Sequence, residues 1–206
     1  MRAAILPLAV IFLGLSSVAA QGPTFRQLAI EHKGRAGSSG IGCGWPGEPF
    51  PLIVKSADVV VYGTVLAKRT YATPDDRDIF TDFEVAPQNV IMQRLVVSST
   101  RPGPARAMVF KTRGGTVVFD GYPFTLDVES NSKRVTLAVG DRAVLFGSYD
   151  AADGKWLLTP IGVFNLEDDV VINTLPAIEP FTETWPARMP INVFSDRIRS
   201  LAARLR

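Results

Sequence analysis

Residues 56–68 constrain the fold most, because apolar side chains alternate along them with a period of two. The odd positions are small or branched and apolar: Ala57, Val59, Val61, Gly63, Val65 and Ala67. The even positions, from Asp58 to Lys68, are mixed. Successive side chains of a strand point to opposite faces, so this pattern predicts a strand with the odd positions buried and the other face partly wet. Gly63 lies mid-strand, where a missing side chain allows the coiling that closes a small barrel.

Further strand patterns follow along the chain. Ile79, Thr81, Phe83 and Val85 alternate with more polar residues, and the first set is predicted to face inward. A third strand ends at the pair Gly114 and Gly115, which lacks the spacing and the lysine of a phosphate-binding loop and is predicted to be a bend. A hairpin excursion over residues 116–134 and two apolar strands joined at Asp153 and Gly154 come next. These patterns predict a mainly β domain.

The first twenty residues have the three parts of a secretory signal peptide. Arg2 gives the positive end, an apolar run follows, and small residues lead to Ala20. We predict cleavage between Ala20 and Gln21. The apolar run is interrupted by Pro7 and is shorter than the roughly 18 to 20 residues that span a bilayer. The sequence therefore predicts an exported protein, periplasmic or extracellular after removal of the signal peptide.

Net charge limits the classes of partner. The chain has 22 Lys and Arg and 20 Asp and Glu, and the predicted signal peptide holds one of the arginines, which leaves 21 against 20. A balance this close to neutral argues against a dedicated nucleic-acid binder. With 47% hydrophobic residues, the remaining chain is long enough for one domain with its own core.

Cys43 is the only cysteine of the chain, so no intramolecular disulfide can form. It lies in a Gly- and Pro-rich stretch and is a candidate free or intermolecular thiol. A catalytic cysteine would need a nearby base. Nothing in the sequence pairs the only histidine, His32, with Cys43 in a catalytic motif. The acids Glu167 to Asp169 lack the spacing of a calcium loop and are predicted to form a solvated turn. We therefore predict no catalytic residue, no metal and no cofactor.

Two extensions flank the predicted barrel domain, which covers residues 53–175. Residues 21–52 read as a Gly- and Pro-rich N-terminal extension with one helix-compatible piece. Residues 176–206 read as a Pro-rich connector followed by an amphipathic helix, with Asn192 as its predicted N-cap. The apolar stripe of that helix comprises Phe194, Ile198, Leu201 and Leu205. Docking on the same domain is favoured; a partner protein or an anionic membrane surface is the alternative, because arginines flank the stripe.

Residues 56–166 carry the motifs ADVVVYGTV, IFTDFEV, GG, VGDRAVLF and IGVF in this order. In this they resemble an uncharacterised family of exported bacterial proteins, with Phe80 in place of the usual tyrosine. The resemblance implies a small antiparallel barrel like an OB fold, distantly similar in architecture to the inhibitory domain of tissue metalloproteinase inhibitors. Those inhibitors bind zinc through an N-terminal cysteine. Here the predicted mature terminus is Gln21, so no functional residue carries over.

The favoured function is a non-enzymatic, exported binding module whose ligand is a protein. One alternative is a hydrolase using surface carboxylates, with Asp82 and Glu84, or Asp75, Asp76 and Asp78, as candidates. The other is an oligosaccharide-binding barrel, which requires exposed aromatic residues to share a surface with basic ones. The candidate aromatic residues are Tyr62, Tyr71, Phe80 and Tyr122. The sequence predicts no oligomeric state.

Overall fold

A computed structural model describes residues 22–41, 50–95, 107–129, 137–172 and 188–205. The predicted cleavage site at Ala20 and Gln21 and the thiol of Cys43 lie outside these ranges. The described helices are α1 (Phe25–Glu31), α2 (Phe50–Ser56) and α3 (Ile191–Arg204). The strands are β1 (Gly37–Ile41), β2 (Val59–Ala72), β3 (Ile79–Gln93), β4 (Met108–Arg113), β5 (Gly115–Phe119), β6 (Tyr122–Glu129), β7 (Arg142–Asp150), β8 (Lys155–Glu167), β9 (Val170–Ile172) and β10 (Arg188–Pro190). None of the helices within the described ranges is both long and apolar enough to span a membrane.

Seven strands form the larger sheet, and the pairings of five of them return to the starting strand. β2 pairs antiparallel with β3 and with β7, β3 pairs with β4, and β7 pairs with β8. β8 also runs parallel to β4, where Phe110 lies opposite Trp156 and Lys111 opposite Leu157. Because this seam is so short, the sheet is a partly open barrel of the kind found in OB folds. The predicted mainly β class is confirmed.

The prediction of an antiparallel, closed barrel needs a correction at that seam. β4 and β8 run in the same direction, and parallel neighbours need a long crossover between them. Strands β5, β6 and β7 supply this crossover, since they lie between β4 and β8 in the chain. A second parallel pairing joins β1 to β6 in a separate sheet of three strands, ordered β1, β6, β5.

The chain leaves the barrel for this small sheet at Gly114 and Gly115, which have φ angles of +105° and +130°. The hydroxyl of Thr81 donates to the carbonyl of Gly114 at 2.8 Å. A Cβ atom at Gly115 would lie 2.6 Å from Oγ1 of Thr81, so no larger residue fits without movement. The predicted bend is confirmed, and so is the hairpin that follows it, β5 and β6.

The first half of β2 is buried on both faces. Val59, Val61 and Val65 lie in the core inside the barrel. Val60 and Tyr62 point the other way, into a second core beneath α2 and α3. The predicted strand is therefore confirmed from Val59 onward, and so are the inward positions Val59, Val61 and Val65 and the buried set of β3. The predicted start is wrong, because Ser56 ends α2 and Ala57 is buried in the core beneath the helices.

A bulge at Leu66 changes the face of every later residue of β2. Val65 pairs with Val85, but the next paired residue, Ala67, lies opposite Glu84. The prediction that Ala67 faces inward is wrong, because the extra residue turns it outward and exposes it. Near Gly63 the register shifts as well, and a Cβ atom there would lie 2.5 Å from a carbonyl oxygen of β3.

Helices α2 and α3 cover the part of the outer side of the barrel that is formed by the first half of β2 and its neighbours. Phe50 of α2 makes edge contacts with rings of β7, β8 and α3 at centroid distances of 5.7 to 5.9 Å. Phe194, Ile198 and Leu201 of α3 are buried in the same cluster, so the predicted docking of this helix on its own domain is confirmed. The predicted N-cap, Asn192, is wrong. The helix begins at Ile191 and its N-cap is Pro190, which has no side-chain acceptor.

Helix α1 packs on the small sheet. Thr24 and Gln27 form a capping box that satisfies backbone donors at its start. The ring of Phe25 stacks on that of Phe124 at 4.7 Å, and Ala29 is fully buried. Part of the predicted N-terminal extension is thus helix and edge strand packed against the body of the protein.

Candidate functional site

The outer face of the barrel is covered along the first half of β2 and open to solvent along the second half. Helices α2 and α3 bury the outward side chains of the first half, whereas those of the second half stay at least partly exposed. Outward residues of β3, β4 and β8 continue this second surface, which we call the aromatic–ionic face. It consists of Arg69, Tyr71, Phe80, Asp82, Lys111 and Lys155.

Two aromatic rings form the middle of this face. Tyr71 lies opposite Phe80 across the β2–β3 ladder, and the ring centroids are 6.3 Å apart. The Lys111 ammonium lies 4.1 Å from the centroid of Phe80, and the Arg69 guanidinium carbon lies 6.0 Å from that of Tyr71. Contacts of cations with aromatic rings contribute about 0.5–1 kcal/mol each at exposed sites. They restrict the motion of both rings and both cations.

A hydrogen-bond network joins Tyr71 to an ion pair. The Tyr71 hydroxyl donates to Oδ1 of Asp82 at 3.2 Å. The Lys155 ammonium donates to Oδ2 of the same carboxylate at 2.6 Å and to the Tyr71 hydroxyl at 3.3 Å. Burial lowers the pKa of Lys155, but the hydrogen bonds to Asp82 and Tyr71 and the nearby negative charge outweigh burial, so its pKa is raised. Lys155 therefore stays charged at neutral pH.

Two turns of the barrel border the aromatic–ionic face. In the β7–β8 turn, Asp153 forms an ion pair with Lys111, and the hydrogen bond from Lys111 lowers the pKa of Asp153. In the β2–β3 turn, Asp78 accepts a hydrogen bond from Arg113 at 2.7 Å, beside Phe80. OB barrels bind oligomeric ligands on the face of their second and third strands, between the turn joining the first two strands and the turn joining the last two. The aromatic–ionic face has the same position, since it includes residues of β3 and β4 and lies between the β2–β3 turn and the β7–β8 turn.

Of the four aromatic residues named from the sequence, the structure brings Tyr71 and Phe80 together. Tyr62 is 8% exposed beneath the helices, and its ring contacts Arg142. Tyr122 belongs to β6 of the small sheet. Tyr71 and Phe80 therefore share a surface with basic residues, as an oligosaccharide-binding barrel requires, and the other two candidates do not join them.

The candidate carboxylates lie on β3 and in the β2–β3 turn, and most of them have separate polar partners. Asp82 pairs with Lys155, and Glu84 is exposed two residues further along the same strand. In the β2–β3 turn, the Thr73 hydroxyl donates to Asp75 at 2.6 Å and lowers the pKa of that carboxyl, whereas Asp76 pairs with Arg26.

No metal centre is evident in the part of the chain that the structure describes. No group of three His, Cys, Asp or Glu side chains there is placed to hold a metal ion. In the acidic turn, Glu167 pairs with Arg188 at 3.1 Å, and Asp169 pairs with Arg142. Asp168 and Asp169 have positive φ angles, which fits the predicted turn.

Sequence reasoning did not name the cations of the aromatic–ionic face, Arg69, Lys111 and Lys155. Alternation about Phe110 does place Lys111 on the outward side of β4. Lys155 comes from a strand 73 positions away from Asp82, and no local signal links the two.

Comparisons with known proteins do not place this chain in a family. No protein-family model matches it, and no significant match was found among curated proteins. The resemblance to an exported bacterial family stays a prediction.

Proposed function

We propose that the protein is a non-enzymatic binding module that acts outside the cytoplasm and holds its ligand against the aromatic–ionic face. The observation that supports this most is the meeting of Tyr71 and Phe80 with three cations on the barrel surface that the helices leave uncovered. The position of this surface on an OB-like barrel is that used for oligomeric ligands.

The hydrolase alternative has less support. Two carboxylates that hydrolyse a glycosidic bond must face each other across a cleft. Asp82 and Glu84 instead point from the same side of one strand, and Asp82 already accepts hydrogen bonds from Lys155 and Tyr71. The arrangement suits recognition better than proton transfer.

An oligosaccharide is the ligand class that this geometry favours. Sugar hydroxyl groups need both donors and acceptors, and the network of Tyr71, Asp82 and Lys155 offers both beside two partly exposed rings. The protein partner favoured from the sequence stays a prediction, since no described surface specifically supports it.

The test compares ligand capture by two variants of the mature protein. The immobilised wild type is incubated with fractionated cell envelope and culture medium, beside a Tyr71→Ala, Phe80→Ala variant and a Tyr122→Ala control. We expect the wild type and the control to retain the same component and the double variant to lose it. Circular dichroism and thermal unfolding show whether the double variant is folded. If a folded double variant captures as much as the wild type, or if the wild type retains nothing, the proposal is wrong.

A further inference from the structure

We infer that the ligand of the aromatic–ionic face is an uncharged oligosaccharide, recognised by short-range contacts and not by net charge. This inference rests on the proposed function and specifies the chemistry of the ligand. It follows from the way charges are paired on the face and from the groups that remain free.

Charges on and around the face balance. The cations are Arg69, Lys111, Arg113 and Lys155, and the carboxylates are Asp78, Asp82, Glu84 and Asp153. Three of the four cations already form ion pairs with three of the carboxylates. Surfaces that bind nucleic acids or acidic glycans carry an excess of Lys and Arg, which attracts the polyanion and releases its counterions. A balanced surface lacks that driving force.

The same ion pairs create a dense array of fixed hydrogen-bonding groups. Lys155 is held by Asp82 and Tyr71, and Lys111 is held by Asp153 against the ring of Phe80. Groups that are already oriented lose little conformational entropy when a ligand binds. An uncharged chain of hydroxyl groups can use these donors and acceptors without having to lose the hydration of an ionic charge.

Arg69 is the cation of the face that lies free for a ligand. Within the described part of the chain it makes no ion pair, and its guanidinium carbon lies 6.0 Å from the centroid of the Tyr71 ring. Its side chain is exposed, and it projects five donors beside a partly exposed ring. Arg69 therefore contacts the ligand directly and contributes to its affinity.

The experiment measures binding of the mature protein to defined polymers. Soluble β-1,3-glucan, mannan and xylan are the uncharged probes; alginate, heparin and single-stranded DNA are the acidic ones. Affinity electrophoresis identifies the polymer bound, and calorimetry then gives Kd at about 20 mM and about 500 mM NaCl, concentrations that bracket weak and strong screening. The variants are Arg69→Ala and, as a matched control, Arg199→Ala, which removes an exposed arginine of α3.

We expect an uncharged polymer to bind with a Kd that changes less than about twofold between the two salt concentrations. Arg69→Ala should weaken this binding by about tenfold, the effect of losing a charge-assisted hydrogen bond, and Arg199→Ala should leave it unchanged. Both variants alter exposed side chains, so folding is retained.

Two kinds of result overturn the inference. Binding of an acidic polymer that falls steeply with salt and depends on Arg69 would show that the face binds polyanions; the proposed binding function would survive, but the ligand class would be wrong. The same holds if only a protein is captured through this face. If an uncharged polymer binds equally well to wild type and Arg69→Ala, Arg69 does not contact the ligand and the inference fails. Binding that also survives in the Tyr71→Ala, Phe80→Ala variant would place the binding site elsewhere, and the proposed function would then fail as well.

Discussion

At the scale of single residues, the pair of Lys155 and Asp82 has the clearest energetic consequence. The two side chains are 25% and 16% exposed, so both charges are partly shielded from water. An ion pair of this kind adds little net stability over a well-packed apolar pair, but removing one partner leaves the other charge desolvated. The cost of breaking the pair is therefore expected to exceed the net stability that the pair contributes.

We expect Asp82→Asn to lower the free energy of unfolding by about 1–3 kcal/mol at neutral pH, because Lys155 loses its counter-charge. The pKa of Lys155 is raised in the folded state, so this stabilisation is fully present below the ordinary lysine pKa and is lost as pH rises through the higher folded value. Above neutral pH, the difference between wild type and variant should therefore persist until the buffer is strongly alkaline. Urea unfolding at a series of pH values measures it.

The matched control for that experiment is Glu84→Gln. Glu84 is an exposed carboxylate on the same face of the same strand. Exposed substitutions of this kind usually change stability by less than about 0.5 kcal/mol. If Asp82→Asn costs no more than the control, Lys155 does not depend on Asp82.

At the scale of elements, α3 covers apolar surface that the barrel cannot bury by itself. The ring of Phe194 lies against Phe50 of α2 and against Phe164 of β8, and Ile198 and Leu201 are buried in the same cluster. The helix is the last element of the chain, yet it completes the larger core. We therefore expect its apolar stripe to be needed for the stability of the whole domain.

We expect Phe194→Ala to lower the free energy of unfolding by about 3–5 kcal/mol, because it leaves a cavity beside the rings of Phe50 and Phe164. Phe194 is 2% exposed, whereas its neighbour Val193 is 49% exposed. Val193→Ala is therefore the control, and it should cost less than about 1 kcal/mol. Equal effects of the two substitutions in denaturant unfolding would mean that α3 is not docked in solution.

At the scale of the whole molecule, packing alone must hold the domain together, because a chain with one cysteine cannot form an intramolecular disulfide. We expect reducing agent and the substitution Cys43→Ser to leave the thermal midpoint of the protein unchanged. Scanning calorimetry with and without reductant tests this. A dimer on a non-reducing gel, with a midpoint that falls on reduction, would instead identify Cys43 as an intermolecular disulfide partner.

Alternation of side chains located parts of the barrel strands, where the two faces of a strand have different surroundings. The inward set of β3, from Ile79 to Val85, follows directly from it. The bulge at Leu66 could not be found in this way, because one extra residue changes the face without changing the composition. The two parallel pairings were missed for a related reason: they join strands that are distant in the chain.

The candidate site was only partly predictable. Tyr71 and Phe80 were recognised as candidates, but their contact depends on a β2–β3 register that shifts at three places. Lys155 reaches Asp82 because β8 closes against β4, which is a property of topology and not of local sequence. Contacts between residues on distant strands can be predicted only when the strand order is known.

The short parallel seam between β4 and β8 also orders events in time. The barrel cannot close until residues up to Leu157 have left the ribosome, because Lys111 and Phe110 find their partners only there. Until then the nascent chain holds unpaired strand edges and an incomplete apolar interior, and such distant pairings form slowly. The polypeptide therefore has no closed barrel for most of its synthesis, and its strand edges are open to mispairing during that time.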